Sequence, residues 1–327
     1  MHWLEPHWYR FTSVSLLLLP VSWLYCLLMR LRRGMYRLGI FASVKLPVPV
    51  IVVGNITAGG TGKTPLVIWL ADFLRQEGMH PGIVLRGYGG SAVDWPLAVT
   101  PDHDPDVVGD EAVMLARASR SPVAADPDRV RGAQFLVHEH HCDVIVSDDG
   151  LQHLRLARDV EIAVIDGVRR FGNGSCLPAG PLREPVSRLR DVGLCIVNGE
   201  PQPGELGMTL AETGLCRVNA PDSYASVGSF RGETVHAVAG IGHPARFFAY
   251  LRRLGLKTIE HPFPDHYRFR APDIRFGDGR SVIMTQKDAV KCERFADDNM
   301  WYLAVEAKPD PRAGKEVWLR LKEKQRG

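Results

Sequence analysis

The residues of this chain best suited to chemistry begin at Gly54: Gly54-Asn55-Ile56-Thr57-Ala58-Gly59-Gly60-Thr61-Gly62-Lys63-Thr64-Pro65. Ahead of them Val48 to Val53, an apolar β-branched run, reads as a buried strand. Behind them Leu66, Trp69, Leu70, Phe73 and Leu74 recur at helical spacing. A strand, a glycine-rich turn and a helix in that order let backbone N–H groups approach phosphate oxygens at a helix N-terminus. A lysine there reaches the β and γ oxygens, and a hydroxyl ligates Mg2+. Lys63 and Thr64 hold those two positions, with Asn55, Thr57, Ala58, Gly59, Gly60, Thr61 and Gly62 as the cradle. Pro65 is tolerated because first-turn N–H groups lack helical partners. One departure stands out: the usual spacing puts a glycine six residues before the lysine, where this chain has Thr57.

The other half of such a site is an acid at the end of a neighbouring strand. Val144-Ile145-Val146-Ser147-Asp148-Asp149-Gly150 supplies two, at the carboxyl edge where α/β sheets bind ligands. Successive residues on a strand face opposite ways, so one aspartate is expected on Mg2+ and the other on a loop or water. The plainer alternative is a turn-initiating acidic pair. A different cluster, His138-Glu139-His140-His141-Cys142, has two histidines one helical turn apart. It lacks further ligands at metal spacing and runs straight into a strand, so it reads as a solvated helix end.

The elements that must carry these residues follow from composition and charge. A 327-residue chain with 45% hydrophobic and 24% charged residues is globular and long enough for two cores. The net charge of +3 is uneven: residues 1–50 hold six Lys/Arg against Glu5 alone, which is +5, and the remainder carries −2. No basic stripe interleaved with aromatics suggests nucleic acid. Six scattered cysteines without a CxxC pair suit a reducing compartment. Phe11 to Met29 is uncharged and apolar, at the lower edge of a spanning length, but contains Pro20 and three serines. Arg30, Arg32, Arg33 and Arg37 follow at once, as expected of a helix lying among anionic headgroups. A buried helix is the bland alternative, and a cleaved signal peptide is disfavoured because no A-x-A site follows.

Seven motifs occur in order: GNITAGGTGKTP at 54–65, RGYGG at 86–90, GDE at 109–111, SDDGLQH at 147–153, LPAGPLREP at 177–185, PDHYRF at 264–269 and TQKDAVK at 285–291. Together they resemble the tetraacyldisaccharide 4'-kinase family from about residue 50 almost to the end, and the apolar, basic N-terminus resembles that family's membrane-contacting helix. Gln286 departs from the glutamate more often expected there. The resemblance implies ATP, Mg2+ and an acylated glucosamine disaccharide 1-phosphate as substrate. It also implies that Asp110 is a catalytic acid paired with His266. Asp110 would support the imidazolium as His266 accepts a hydroxyl proton near neutral pH. The residues alone leave a helix-capping acid and a surface histidine as the simpler reading. Arg86, Tyr88, Glu111, Gln152, His153, Arg183 and Glu184 are substrate-side or nucleotide-side candidates. The implied location is the cytoplasmic face of the inner membrane, held peripherally or by the N-terminus, with no obligate protein partner inferred.

The resulting expectation is an α/β chain in four parts: a membrane-associating helix over 1–40, a P-loop nucleotide-binding domain with a parallel sheet over 41–200, a boundary over 201–230, and a smaller α/β domain over 231–327. The active site would lie in the cleft between domains, with His266 contributed from the smaller one. A competing class, membrane-bound partitioning ATPases with a similar loop, places a second lysine five residues before the first. That position is Ala58 here.

Overall fold

The computed structural model describes residues 2–325. Its strands are β1 (Val50–Gly54), β2 (Pro81–Leu85), β3 (Leu97–Val99), β4 (Val123–Ala125), β5 (Val144–Asp148), β6 (Val160–Asp166), β7 (Leu194–Asn198), β8 (Leu206–Arg217), β9 (Tyr224–Ala225), β10 (Thr234–Ala239), β11 (Lys257–Pro262), β12 (Val282–Thr285) and β13 (Met300–Pro309). Its α-helices are α1 (Ser13–Arg37), α2 (Lys63–Gln76), α3 (Pro105–Val108), α4 (Asp110–Ser119), α5 (Arg129–Glu139), α6 (Pro244–Arg253), α7 (Ala271–Ile274), α8 (Gln286–Cys292) and α9 (Arg312–Gln325).

Twelve strands run edge to edge in one sheet, in the order β11-β10-β12-β13-β8-β7-β6-β1-β5-β2-β4-β3, and β9 pairs beside β8. From β8 to β4, and again from β11 to β13, neighbours are parallel. The long antiparallel ladder between β8 and β13 joins the two parallel halves. Parallel strands covered on both faces are continuous apolar runs, as in β1 and β5, where every residue is buried. Leu66, Leu70 and Leu74 of α2 share one core with Val113 of α4 and Val317 of α9, while Leu136 of α5 packs with Val52, Ile145 and Leu151 on the opposite face. The second half has its own layers, with Phe248 and Leu251 of α6 against Ile283 and Leu303, and Phe269, Ile274 and Cys292 against Met284.

Two sequence expectations shift in register. The first strand, expected over Val48–Val53, begins two residues later and runs one further, because Gly54 still pairs with Ala163 of β6; a side chain at Gly54 would meet Leu151 Cγ at 2.7 Å. The expected boundary over 201–230 carries β8, the strand that joins the halves of the sheet. Helix α1 begins at a reciprocal cap between Thr12 and Ser15 and is tied to the body by Ser22 Oγ donating to the Cys176 carbonyl at 2.7 Å and by Arg33 pairing with Asp191 at 2.9 Å. Its outer face stays open: Leu16, Leu17, Val21, Trp23, Leu24, Leu27, Leu28 and Leu31 are each more than half exposed.

Candidate active site

The glycine-rich loop leaves β1 in the middle of the sheet and ends on α2, whose N-terminal residue is Lys63. Gly62 caps that helix at φ 90°, and a side chain there would meet Asn198 Nδ2 at 2.6 Å, so the turn needs glycine on both counts. Asn55 is fully buried and spans the loop, donating to the Gly59 carbonyl at 3.1 Å. The Thr57 departure has a structural reason. Thr57 forms an antiparallel bridge to Leu182, flanked by Ala58 N–H donating to the Pro181 carbonyl at 2.7 Å and Arg183 N–H donating to the Ile56 carbonyl at 2.7 Å. An extended, β-paired residue has no need of glycine's freedom. Thr61 is buried, and its carbonyl accepts from Asn198 Nδ2 at 3.2 Å.

Asp148 ends β5 and Asp149 follows outside the strand in a left-handed conformation at φ 49°, so strand alternation does not set its direction. Asp149 pairs with Lys63 at 3.4 Å and with Arg183 at 2.9 Å. Burial alone would raise its pKa, but these two cations bring it well below the usual carboxylate range. Asp148 has no such partner: its Oδ1 is buried without a hydrogen bond, and burial followed by the Glu111 charge pushes its pKa up to about 7. Beneath it Arg129, itself buried, donates to the Asp148 carbonyl at 3.4 Å.

Asp110 opens α4 after Gly109, which sits at φ 93° and where a side chain would meet the Tyr88 carbonyl at 2.6 Å, so RGYGG and GDE fold onto each other only with glycine here. His266, on the loop after β11, places Nδ1 3.2 Å from Asp110 Oδ2, although 156 residues separate them. His266 is held at φ 58°, a strained conformation for a non-glycine residue, and such strain concentrates at functional sites. The Asp110 hydrogen bond raises the imidazole pKa against the opposing effects of burial and Lys287. Burial would raise the Asp110 pKa, but His266 and then Lys287 bring it below its ordinary value.

The remaining candidates divide. Tyr88 is exposed and its ring lies edge-on to His266 at 5.1 Å between centroids. Arg86 is also exposed, and Glu111 receives Lys287 at 3.0 Å. Arg183 joins the site through Asp149. Gln152 and Glu184 face each other at 2.7 Å below the loop, with Gln152 also donating to the Asn55 carbonyl at 3.1 Å and Glu184 pairing with buried Arg188 at 3.3 Å. They brace the loop through the Asn55 carbonyl. Burial, with Arg129 and Arg86 nearby, lowers the His153 pKa to about 4, so its ring is neutral. Lys287, Lys291 and Arg129 lie against the candidate residues, yet sequence reasoning assigned them nothing. The signal available was the TQKDAVK motif itself, whose lysines are one helical turn apart.

A loop of this construction on a parallel α/β sheet places the chain in the phosphate-loop class of nucleotide-binding proteins. The family model LpxK, tetraacyldisaccharide-1-P 4'-kinase, matches residues 14–322, and the chain belongs to that family. It is 51% identical over 311 residues to the tetraacyldisaccharide 4'-kinase of Nitrosococcus oceani, covering 95% of this chain and 92% of that one. It is 56% identical over 292 residues to that of Alkalilimnicola ehrlichii, covering 89% and 88%. The crystal structure of "apo" form LpxK from Aquifex aeolicus in complex with ATP superposes with a TM-score of 0.81 at 28% identity, covering 94% of this chain and all of that one.

Proposed function

We propose that this chain transfers the γ-phosphoryl group of ATP to the 4'-hydroxyl of a tetraacyl glucosamine disaccharide 1-phosphate, a step in making lipid A. The observation that carries the reading is the Asp110–His266 pair at 3.2 Å, with His266 on a loop near the glycine-rich turn, where Gly242 lies between Gly60 and Asp265. In this reading, residues 41–200 hold nucleotide and 231–327 bring the acceptor's base. Asn55 and the stretch from Thr57 to Thr64 wrap the triphosphate, and Lys63 neutralises charge on the β and γ oxygens. His266 takes the hydroxyl proton while Asp110 supports the imidazolium. The O–H bond breaks as oxygen attacks phosphorus in line, and ADP departs. Tyr88, Arg86, Glu111 and Arg183 line the approach to the acceptor.

Mg2+ fits the residues present. The unpartnered buried Oδ1 of Asp148, close to the charges of Asp149 and Glu111, suits a cation, and Thr64, which follows Lys63 at the start of α2, would supply a hydroxyl. When bound there, the ion would neutralise phosphate charge and orient the terminal group. Asp148 is the stronger candidate for direct ligation, because Asp149 already has Lys63 and Arg183.

The exposed leucines of α1, followed by its basic turn, support attachment to the cytoplasmic face of the inner membrane, where an acylated substrate resides. The test is purified protein with the disaccharide 1-phosphate and radiolabelled ATP, read by thin-layer chromatography and product mass. One added phosphate is expected, with Lys63→Ala and His266→Ala each lowering turnover by about 100-fold or more. Near-normal transfer by either variant would remove its assigned role.

A further inference from the structure

Helix α8 reaches the site from the second half of the chain, and the buried end of its Lys287 side chain meets more of the acceptor side than any other cation described. Its ammonium lies 3.0 Å from Glu111 Oε1, 3.3 Å from Asp265 Oδ1 and 3.3 Å from His266 Nε2. An ammonium has three protons and no lone pair, so these three neighbours use it fully as a donor. The contact also decides the imidazole's tautomer. Nδ1 faces a carboxylate and must carry the proton, and Nε2 faces an ammonium and must present its lone pair.

We propose that Lys287 is a positioning residue for phosphoryl transfer, holding His266 in the Nδ1–H tautomer with a bare Nε2 and tying that ring to Glu111 and Asp265. The proposal rests on the reading of His266 as the proton acceptor. The groups facing the ring are Asp110 and Glu111 at the start of α4, Asp265 on its own loop, Tyr88 from the 86–90 turn, and Lys287 and Lys291 from α8. Lys291 stands one turn behind, 3.9 Å from Asp110 Oδ2 and 2.8 Å from Asp288. Asp110 favours the imidazolium and Lys287 opposes it, so the carboxylate orients the base and the ammonium limits the rise in its basicity. When the acceptor hydroxyl arrives, it replaces the ammonium at Nε2. Lys287 remains bonded to Glu111 and Asp265, so a second positive charge stands beside the newly formed imidazolium and favours its later loss of the proton.

The experiment is a 13C NMR titration of His266 in the full-length protein, with the resonance assigned from His266→Gln, in wild type, Lys287→Met and Lys287→Gln. In both lysine variants the His266 midpoint is expected to rise by about one pH unit, because a nearby cation is lost while the carboxylates remain. The acid limb of kcat/KM is expected to rise with it, while affinity for ATP stays within about twofold. Lys287→Arg, which keeps the charge, should return the midpoint toward the wild-type value. A folded Lys287→Gln protein with an unmoved His266 midpoint would overturn the proposal. The titration requires no turnover, so it decides the role of Lys287 whether or not the lipid disaccharide is phosphorylated.

Discussion

Asp110 and His266 behave as one unit, and the physical signs of that coupling can be followed with pH. A histidine whose folded pKa is raised contributes stability that is complete below its unfolded value of about 6.5 and is lost as pH rises through the folded value. The dyad therefore stabilises the protein most in mildly acidic solution, whereas in the proposed reaction proton abstraction would need the neutral ring found at higher pH. Asp110→Asn keeps the shape and removes the charge that raises the imidazole. The acid limb of kcat/KM should then move to lower pH while kcat falls by about 100-fold, since a weaker base with less support for its imidazolium remains. A reduced rate with an unmoved limb would mean that Asp110 acts on something other than His266. At this scale part of the candidate site stands out from residue types alone. Lys63, Thr64 and the two aspartates carry their chemistry in their spacing, whereas Asp110 and His266 emerged only through family resemblance. Lys287 escaped notice because a lysine in a charged helix looks like any solvated surface lysine until its three acceptors are placed around it.

Among the elements, α1 and β8 mark the two extremes of legibility. The apolar run and arginine tail of α1 announced a helix with a membrane preference, and the helix observed leaves that apolar face uncovered. Strand β8 gave no such signal. Its burial follows no clean alternation, it contains Gly207 and Gly214, and its ladder with β13 slips at Ala304/Val305, so periodicity could not distinguish it from a linker. Open leucines imply a direct test. Replacing Leu17, Leu24 and Leu28 together with glutamate should reduce cosedimentation with anionic phospholipid vesicles by at least about tenfold, because each buried leucine contributes roughly 1–2 kcal/mol to such association. The melting temperature in solution should change by less than about 2 °C, since those side chains touch little of the folded body. Equal vesicle binding by wild type and variant would assign membrane attachment to another part of the surface.

For the molecule as a whole, two parallel half-sheets are joined by the antiparallel β8–β13 ladder, Gly242 lies between Gly60 of the glycine-rich turn and Asp265 of the loop after β11, and the candidate site is gathered there. Such an arrangement gathers charge that the folded chain does not neutralise by itself. Asp148 shows the consequence, buried with an unpartnered oxygen and with its pKa pushed up to about 7. An unfolded aspartate ionises near pH 4, so between about pH 4 and pH 7 the unfolded chain releases a proton that the folded chain retains. Stability is therefore progressively lost over that window, and the penalty is constant above it. Asp148→Asn removes the ionisation and should raise the melting temperature of the ligand-free protein by about 3 °C at pH 8, with almost no gain at pH 4. The gain stays modest because the amide also leaves hydrogen-bonding groups unmet. Millimolar Mg2+ with ATP should narrow the difference by stabilising the wild type far more than the variant, because a ligand stabilises in proportion to its affinity for the folded state. A variant less stable than wild type at pH 8, or one stabilised equally by Mg-ATP, would show that Asp148 serves the fold and not the ion.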